Sequence, residues 1–432
     1  MTMACISCFF KREFQRDLKL QTYEDTRFED RLSNYMKAFQ EQLDNIQQPE
    51  DCSCCKSTFK DHEDLIKLEK ERTDFYQSLN EQFGRSFSLI RTLYNKTLHS
   101  MYDEALGDIL EVLLPLAQSN SEEPFSDLSR SVEPLFRARP KGNYTASNRE
   151  LLHIPFSKRH LVTSQRYSMI GVPMLYTGSS LEVLEKELSL PSSKLNHCIL
   201  LPKSRMNMLD LSSKWQRDFI NDIHFKAAMR SSSKFESEGP DLYVPDPQRL
   251  EDYVLNIALR EVLSFPVMIP SASFIPEYVL PQLVTLAAKK SGFDGIVFDS
   301  TKDYSDLARY GMQGDNYNKV FFTEYSATSC FDDELLNRFH VYTNTGREIT
   351  PEYFVGLMLK IEDEQRKRSK SSIPAVLEEQ INCIRGRFSN LFEYENPYNR
   401  DELRVNSQLG RVEVELLTFA NECMLNELNN HG

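Results

Sequence analysis

The chain is 432 residues long and sets 51 Lys and Arg against 64 Asp and Glu, a formal net charge of -13 with its 8 histidines neutral. Apolar residues at 40% and aromatics at 11% exclude a disordered chain, and at roughly 100 to 200 residues per domain the length predicts two to four domains. The acidity argues against nucleic acid or an anionic membrane as a general partner, because counterion release rewards clustered Lys and Arg; a local basic site stays compatible with it.

Met1 to Phe10 has no basic leader ahead of its short apolar run, which ends at Lys11 and Arg12, so no secretion signal is expected. Longer apolar stretches such as Phe265 to Ala288 are broken by Pro and Glu, short of the roughly 18 residues that a spanning helix needs. The expected location is cytoplasmic, and there the 9 cysteines read as thiols or metal ligands rather than disulfides. Cys5-x-x-Cys8 and Cys52-x-Cys54-Cys55 supply two ligand pairs, with Cys5, Cys8, Cys52 and Cys55 the expected set for a structural zinc ion. About 44 residues separate the pairs, so an inserted helix would have to bring them together. The other reading is a set of reduced thiols, with Cys54 making the fourth ligand ambiguous.

From Thr22 to Leu116 the pattern is helical. Phe28, Leu32, Tyr35, Met36, Phe39 and Leu43 recur at steps of three and four, and a second stripe from Phe87 through Ile90, Leu93, Tyr94, Leu98 and Met101 continues into Leu106 to Leu116. Gln118 to Ser131 is polar and Arg137 to Asn148 is poor in apolar residues, so a helical N-terminal domain is expected over 1–148. From 149 to 328 the texture is mixed. Leu161 to Ser168 and Pro173 to Thr177 predict a hairpin around Met169 to Val172, and Cys198 to Leu201 and Met206 to Leu211 predict strands. Ser180 is placed to cap a helix with Leu181, Leu184 and Leu188 on one face. Another helix is expected from Glu277 to Lys290, ending at Gly292 ahead of a strand over Gly295 to Phe298, while Ser231 to Gln248 reads as a surface excursion. The 329–432 region reads as helical, with Glu362 to Lys370 a solvated face and Leu403 to Leu428 a closing helix or pair.

The informative stretch runs from Arg166 through Tyr176 to Glu187. A hairpin followed by a helix would set a cation, an aromatic face and a carboxylate around one cleft. That set suits a ligand with a phosphate, a flat ring and a ribose whose C1 becomes positive as a bond breaks, which points to NAD. Taken singly, Arg166 could pair with a surface carboxylate, Tyr176 could be a core aromatic, and Glu187 could be a solvated helix residue like Glu182 and Glu185. His153 and His160 precede the cleft and could touch ligand, though a lone His is more often a satisfied structural residue. Cys198, Cys330, Cys383 and Cys423 read as small apolar residues, and Trp215 as packed.

The stretch resembles the RES domain, a bacterial toxin family with an ADP-ribosyltransferase-like fold, named for its Arg, Glu and Ser. The spacing of Arg166, Gly171, the Leu175-Tyr176 pair and Glu187 is similar to the family's first motif. Gly292-Phe-Asp-Gly-Ile-Val-Phe-Asp-Ser300 is similar to its second, followed by Asn318-Lys-Val-Phe-Phe322 as a closing strand. The resemblance spans Leu151 to Tyr325; Asp299 stands where the family more often has a small residue or proline, and the 211–261 stretch is longer than in minimal members. It implies a central ADP-ribosyltransferase-like RES domain (149–328) and says nothing direct about the flanks; with the mainly α-helical N- and C-terminal regions read from the pattern, the expected fold class is α+β. It further implies a toxin or antiviral effector that cleaves the nicotinamide-ribose bond of NAD as a glycohydrolase or phosphorylase, with no catalytic metal. In that enzyme Arg166 would hold a phosphate, Tyr176 would stack on nicotinamide or ribose, Glu187 would stabilise the oxocarbenium ion, and Ser300 would place the nicotinamide end. The alternatives left open are ADP-ribosyl transfer to a protein or nucleic-acid target and a non-catalytic nucleotide-binding module. The flanks would then sense a trigger or hold the enzyme inactive, with an antitoxin or trigger protein as the partner; a homo-oligomer is also compatible.

Overall fold

The computed structural model describes residues 4–21, 27–47, 51–52, 63–118, 132–142, 151–213, 247–302, 317–368, 373–391, 394–396, 399–403 and 407–430. The expectations placed on Cys54, Cys55, Trp215 and the 231–246 stretch lie outside these residues. Helices α1 (Ile6–Phe9), α2 (Arg12–Gln21), α3 (Phe28–Asp44), α4 (Glu63–Ser78), α5 (Asn80–Leu98) and α6 (Tyr102–Gln118) come first. They are followed by β1 (Leu135–Pro140), β2 (Leu175–Gly178), α7 (Leu181–Leu188), β3 (Leu195–Pro202), β4 (Met208–Leu211), α8 (Pro247–Leu263), α9 (Val279–Lys290), β5 (Gly295–Asp299) and β6 (Tyr317–Phe321). The chain closes with α10 (Asp333–Asn337), β7 (Phe339–Thr343), α11 (Pro351–Arg366), α12 (Ala375–Leu391), the hairpin β8 (Tyr394–Asn396) and β9 (Asn399–Leu403), and α13 (Gln408–Asn430). Two compact units emerge, one of 1–126, 210–292 and 304–315, the other of 127–209, 293–303 and 316–432. Among the described residues no helix is long and apolar enough to cross a membrane.

The first unit is helical. The stripe predicted on α3 is buried at every position from Phe28 to Leu43, and on α5 Phe83, Phe87, Ile90, Leu93 and Tyr94 do the same. The stripe expected to run on into Leu106 is interrupted: Ser100 has φ 62, Met101 is 39% exposed, and α6 starts a new helix. A left-handed residue at that point ends the hydrogen-bond ladder, which apolar spacing alone does not reveal. Rings fill the interior, with Phe39 lying 4.8 Å from Phe9, 5.0 Å from Phe83 and 5.2 Å from Phe87 between centroids. Two buried ion pairs cross this core, Lys19 Nζ to Glu261 Oε2 at 2.8 Å and Arg31 Nη2 to Glu277 Oε1 at 2.7 Å.

The second unit is built on a seven-stranded sheet in the order β4-β5-β6-β2-β1-β3-β7. The pairings of β1 with β2 and β3, β2 with β6, β3 with β7, and β5 with β6 are all antiparallel. The chain is therefore mixed α and β, and its sheet draws β1 from ahead of residue 149 and β7 from beyond residue 328. Both strands were unexpected. In β1 the arginines at 137 and 139 interrupt the apolar signal, and β7, Phe-His-Val-Tyr-Thr, is half-buried along most of its length. One face of the sheet packs Phe136, Ile199 and Leu201 against Leu181 and Leu184 of α7 and against α11, α12 and α13. The other packs Leu135, Leu200, Val297 and Phe321 against Leu151, Leu152 and Leu335. Cys198 lies in this second layer, and burial pushes its thiol up to about 12, as expected of a small apolar residue.

Candidate functional site

Helix α7 follows β2 almost at once and is held by local chemistry. Ser180, in an extended conformation, accepts a hydrogen bond from the Val183 N–H at 3.3 Å, and Leu181 and Leu184 turn inward. Gly178 lets the helix sit close, since a Cβ there would meet Leu184 Cδ2 at 3.0 Å. The cap expected from the sequence is thus present. Ser180→Ala should cost about 1 kcal/mol, read as a fall in unfolding free energy with secondary structure retained at low temperature.

The last turn of α7 carries Glu187. Its Oε1 accepts from the Ser300 hydroxyl at 2.6 Å and from Asn318 Nδ2 at 2.8 Å. Ser300 follows β5 and is 1% exposed, and its Oγ also accepts the Lys302 N–H at 3.2 Å. Lys302 Nζ in turn donates to the Glu187 carbonyl. Such a carboxylate, on a half-buried residue, is oriented by its neighbours. Glu185, grouped with the solvated residues by sequence, instead accepts the Ser192 N–H and so caps the short turn ahead of β3. Strand β5 approaches β6 closely because residue 295 is glycine: a Cβ there would lie 2.2 Å from the Val320 carbonyl oxygen.

The predicted hairpin is not formed. The chain makes a 3-10 turn over Phe156–Leu161 and then a tight turn over 165–168, closed by Gln165 N–H to Ser168 O at 3.0 Å and Ser168 N–H to Gln165 O at 3.2 Å. Arg166 is therefore in a turn and not on a strand, because Arg-Tyr-Ser folds back on itself before reaching β2. The turn nonetheless meets Tyr176, whose hydroxyl donates to Ser168 Oγ at 3.2 Å. Tyr167 is buried against Phe298 with ring centroids 4.3 Å apart. Burial pushes the Tyr167 hydroxyl up; Arg166 acts in the opposite sense, while Tyr176 and Asp299 add to the rise.

Register brings the two halves together. Tyr176 pairs with Val320, Gly178 with Asn318, and Asn318 with Phe298. Paired residues share a face and alternate residues return to it, so Tyr176, Asn318 and Phe298 line one face. Glu187 reaches it from α7 and Tyr167 from the turn. The four residues singled out in the sequence thus fall into two contacting sets on that face: Glu187 with Ser300, and Tyr176 with the turn of Arg166.

Three contributors were missed. Asn318 stood in the quoted closing strand, and its alternation with Lys319 was the available signal. Lys302 follows Ser300 by two. Arg137 donates to the carbonyls of Leu151, Leu152 and Tyr176, with Nη2 to Leu152 O at 3.0 Å. Burial, with Arg139 beside it, brings its guanidinium down to about 9, still protonated at neutral pH. It supplies donors where β1 and β2 share only the Phe136–Gly178 pair, and the Arg-x-Arg of β1 was its sequence trace. His153 is structural as read: buried, with Nδ1 on Ile154 O at 2.9 Å and Nε2 accepting the Asp332 N–H at 3.0 Å. His160 is exposed.

In the helical unit Cys5, Cys8 and Cys52 converge, with their sulfurs within 4.8 Å of one another. Cys55 lies outside the described residues.

No family model matches the chain, and no solved structure matches it. Among curated proteins, one from Bacillus subtilis (strain 168) named "Putative toxin YopC" is 35% identical over 236 residues, which cover 52% of this chain and 49% of that protein. The chain spans about half the length of this curated relative.

Proposed function

We propose that the second unit consumes NAD by breaking its nicotinamide-ribose bond, and that the chain acts as a toxin. The observation that carries this reading is the Glu187 carboxylate held by Ser300 and Asn318 on the sheet face that also presents Tyr176. The toxin-named relative supports the biological class, and the motif resemblance supports the chemistry. The seven-stranded sheet with these residues at its centre is read as ADP-ribosyltransferase-like.

In this mechanism Tyr176 stacks on the flat ring or ribose, and Arg166 pairs with a phosphate. As the bond from C1 to nicotinamide lengthens, its electron pair leaves with the neutral nicotinamide nitrogen and positive charge builds on the ribose. Glu187 stabilises that charge on the ribose more than it stabilises the ground state, in which the positive charge sits on the pyridinium nitrogen. Two hydrogen bonds to one carboxylate oxygen reduce the reorganisation needed at that moment. Water or phosphate then attacks C1, and with water the attacking oxygen loses its proton to solvent. No metal is needed for these steps. Transfer of ADP-ribose to a macromolecule uses the same first step with a different acceptor.

Induction of the chain in bacterial cells should lower intracellular NAD before growth stops, and the Glu187→Gln chain should do neither. Mass spectrometry of the purified reaction identifies the acceptor: ADP-ribose for water, ADP-ribose 1-phosphate for phosphate, an added mass for a macromolecule. Growth arrest at unchanged NAD would refute the reading. An antitoxin would be a protein that restores both growth and NAD.

A further inference from the structure

We propose that the helical unit holds a structural zinc ion on the thiolates of Cys5, Cys8 and Cys52. This site is independent of the sheet chemistry. Cys5 and Cys8 belong to one turn: Cys5 is the residue before α1, and its carbonyl accepts the Cys8 N–H at 3.0 Å and the Phe9 N–H at 2.9 Å. Helices α2 and α3 then carry the chain out and back, which supplies the inserted helical segment that the long ligand spacing demanded. The Gln47 N–H donates to the Ala4 carbonyl at 3.0 Å and brings the strand of chain after α3 against the start of the molecule. Cys52 arrives five residues later.

The three side chains are 0%, 4% and 1% exposed, held as thiols, with their sulfurs within 4.8 Å of one another. With Zn–S bonds of about 2.3 Å, a tetrahedron sets two sulfurs about 3.8 Å apart, and Cys8 Sγ and Cys52 Sγ are 3.8 Å apart. Thiolates are soft ligands that select zinc over the hard cations of oxygen sites. The neighbouring interior is aromatic, with Phe9 4.8 Å from Phe39 and Phe10 4.8 Å from Tyr76, so the ion would tie the N-terminal turn to the segment after α3 beside an otherwise apolar core. Because ligation and folding are coupled there, its loss would loosen those rings.

The test uses the full chain. Elemental analysis after exhaustive dialysis should find about one zinc per chain, falling below about a tenth in Cys8→Ser and Cys52→Ser. Cys330→Ser, on an exposed cysteine, should retain the full amount. Should the two ligand variants fail to fold, titration of the parent with an organomercurial decides the matter: zinc should be released, as read by a chromogenic chelator, in step with the modified thiols. Near-ultraviolet circular dichroism should change with that release. Metal-free folded protein that takes up no zinc, a Cys8–Cys52 disulfide, another metal at that stoichiometry, or zinc content unchanged by Cys8→Ser overturns the assignment.

Discussion

Replacing Glu187 with Gln should slow NAD cleavage by on the order of 100-fold or more, about 2.7 kcal/mol or more of lost transition-state stabilisation. The amide keeps an oxygen that can accept from both Ser300 and Asn318, so the fold and the affinity for NAD should change little. What it lacks is the negative charge, whose value appears only as the ribose becomes positive. Glu185→Gln is the control, and the contact of Glu185 with the Ser192 N–H makes it a demanding one. Its amide oxygen can still accept that hydrogen bond, so turnover should stay near the parent rate. Single-turnover rates and NAD binding measured on the three proteins separate the cases. Equal cleavage by Glu187→Gln and parent, or equal loss in both variants, would remove Glu187 from the chemistry.

The largest stability effect is expected in the other unit, at Glu261. Burial alone would raise its carboxyl, but Lys19 and Arg260 against it bring the value down to about 2. Glu261→Gln leaves the buried Lys19 ammonium, 4% exposed, without its charge partner, and breaking such a pair costs roughly 3 to 5 kcal/mol. The folded value lies below the unfolded one of about 4.3, so the carboxylate's contribution is fully present above that value and is lost as pH falls through about 2. Urea unfolding at neutral pH should therefore show the full difference between parent and variant, and the difference should shrink steadily under acid. A gap that does not change with pH would assign it to packing instead of charge.

Much of the helical unit was legible because α3 and α5 face their core with uninterrupted stripes, so Phe28 to Leu43 are read correctly from spacing. The end of α5 was not, since Ser100 adopts a left-handed conformation that no apolar pattern announces. In the sheet unit the cap at Ser180 and strands β3, β4 and β5 follow local rules, and β6 was read from the motif resemblance. The first strand does not: its arginines serve backbone carbonyls of the 151–152 segment and of Tyr176, a long-range use that reads locally as a polar linker. The same blindness turned the Arg166 segment into a strand. Its place is decided by Ser168 meeting Tyr176, eight residues on, and by Tyr167 settling on Phe298, a contact between segments far apart in the chain. The grip of Asn318 on Glu187 spans 131 positions, and only the alternation along β6 hinted at it.

The central claim is that the carboxylate clamped by Ser300 and Asn318 serves cleavage of NAD, and nicotinamide release by the purified full chain tests it most directly. The account predicts catalytic release from NAD by the parent, many nicotinamides per chain, and a loss of roughly 100-fold or more in Glu187→Gln. No release from a folded parent chain that still binds NAD would contradict it and leave a nucleotide-binding module.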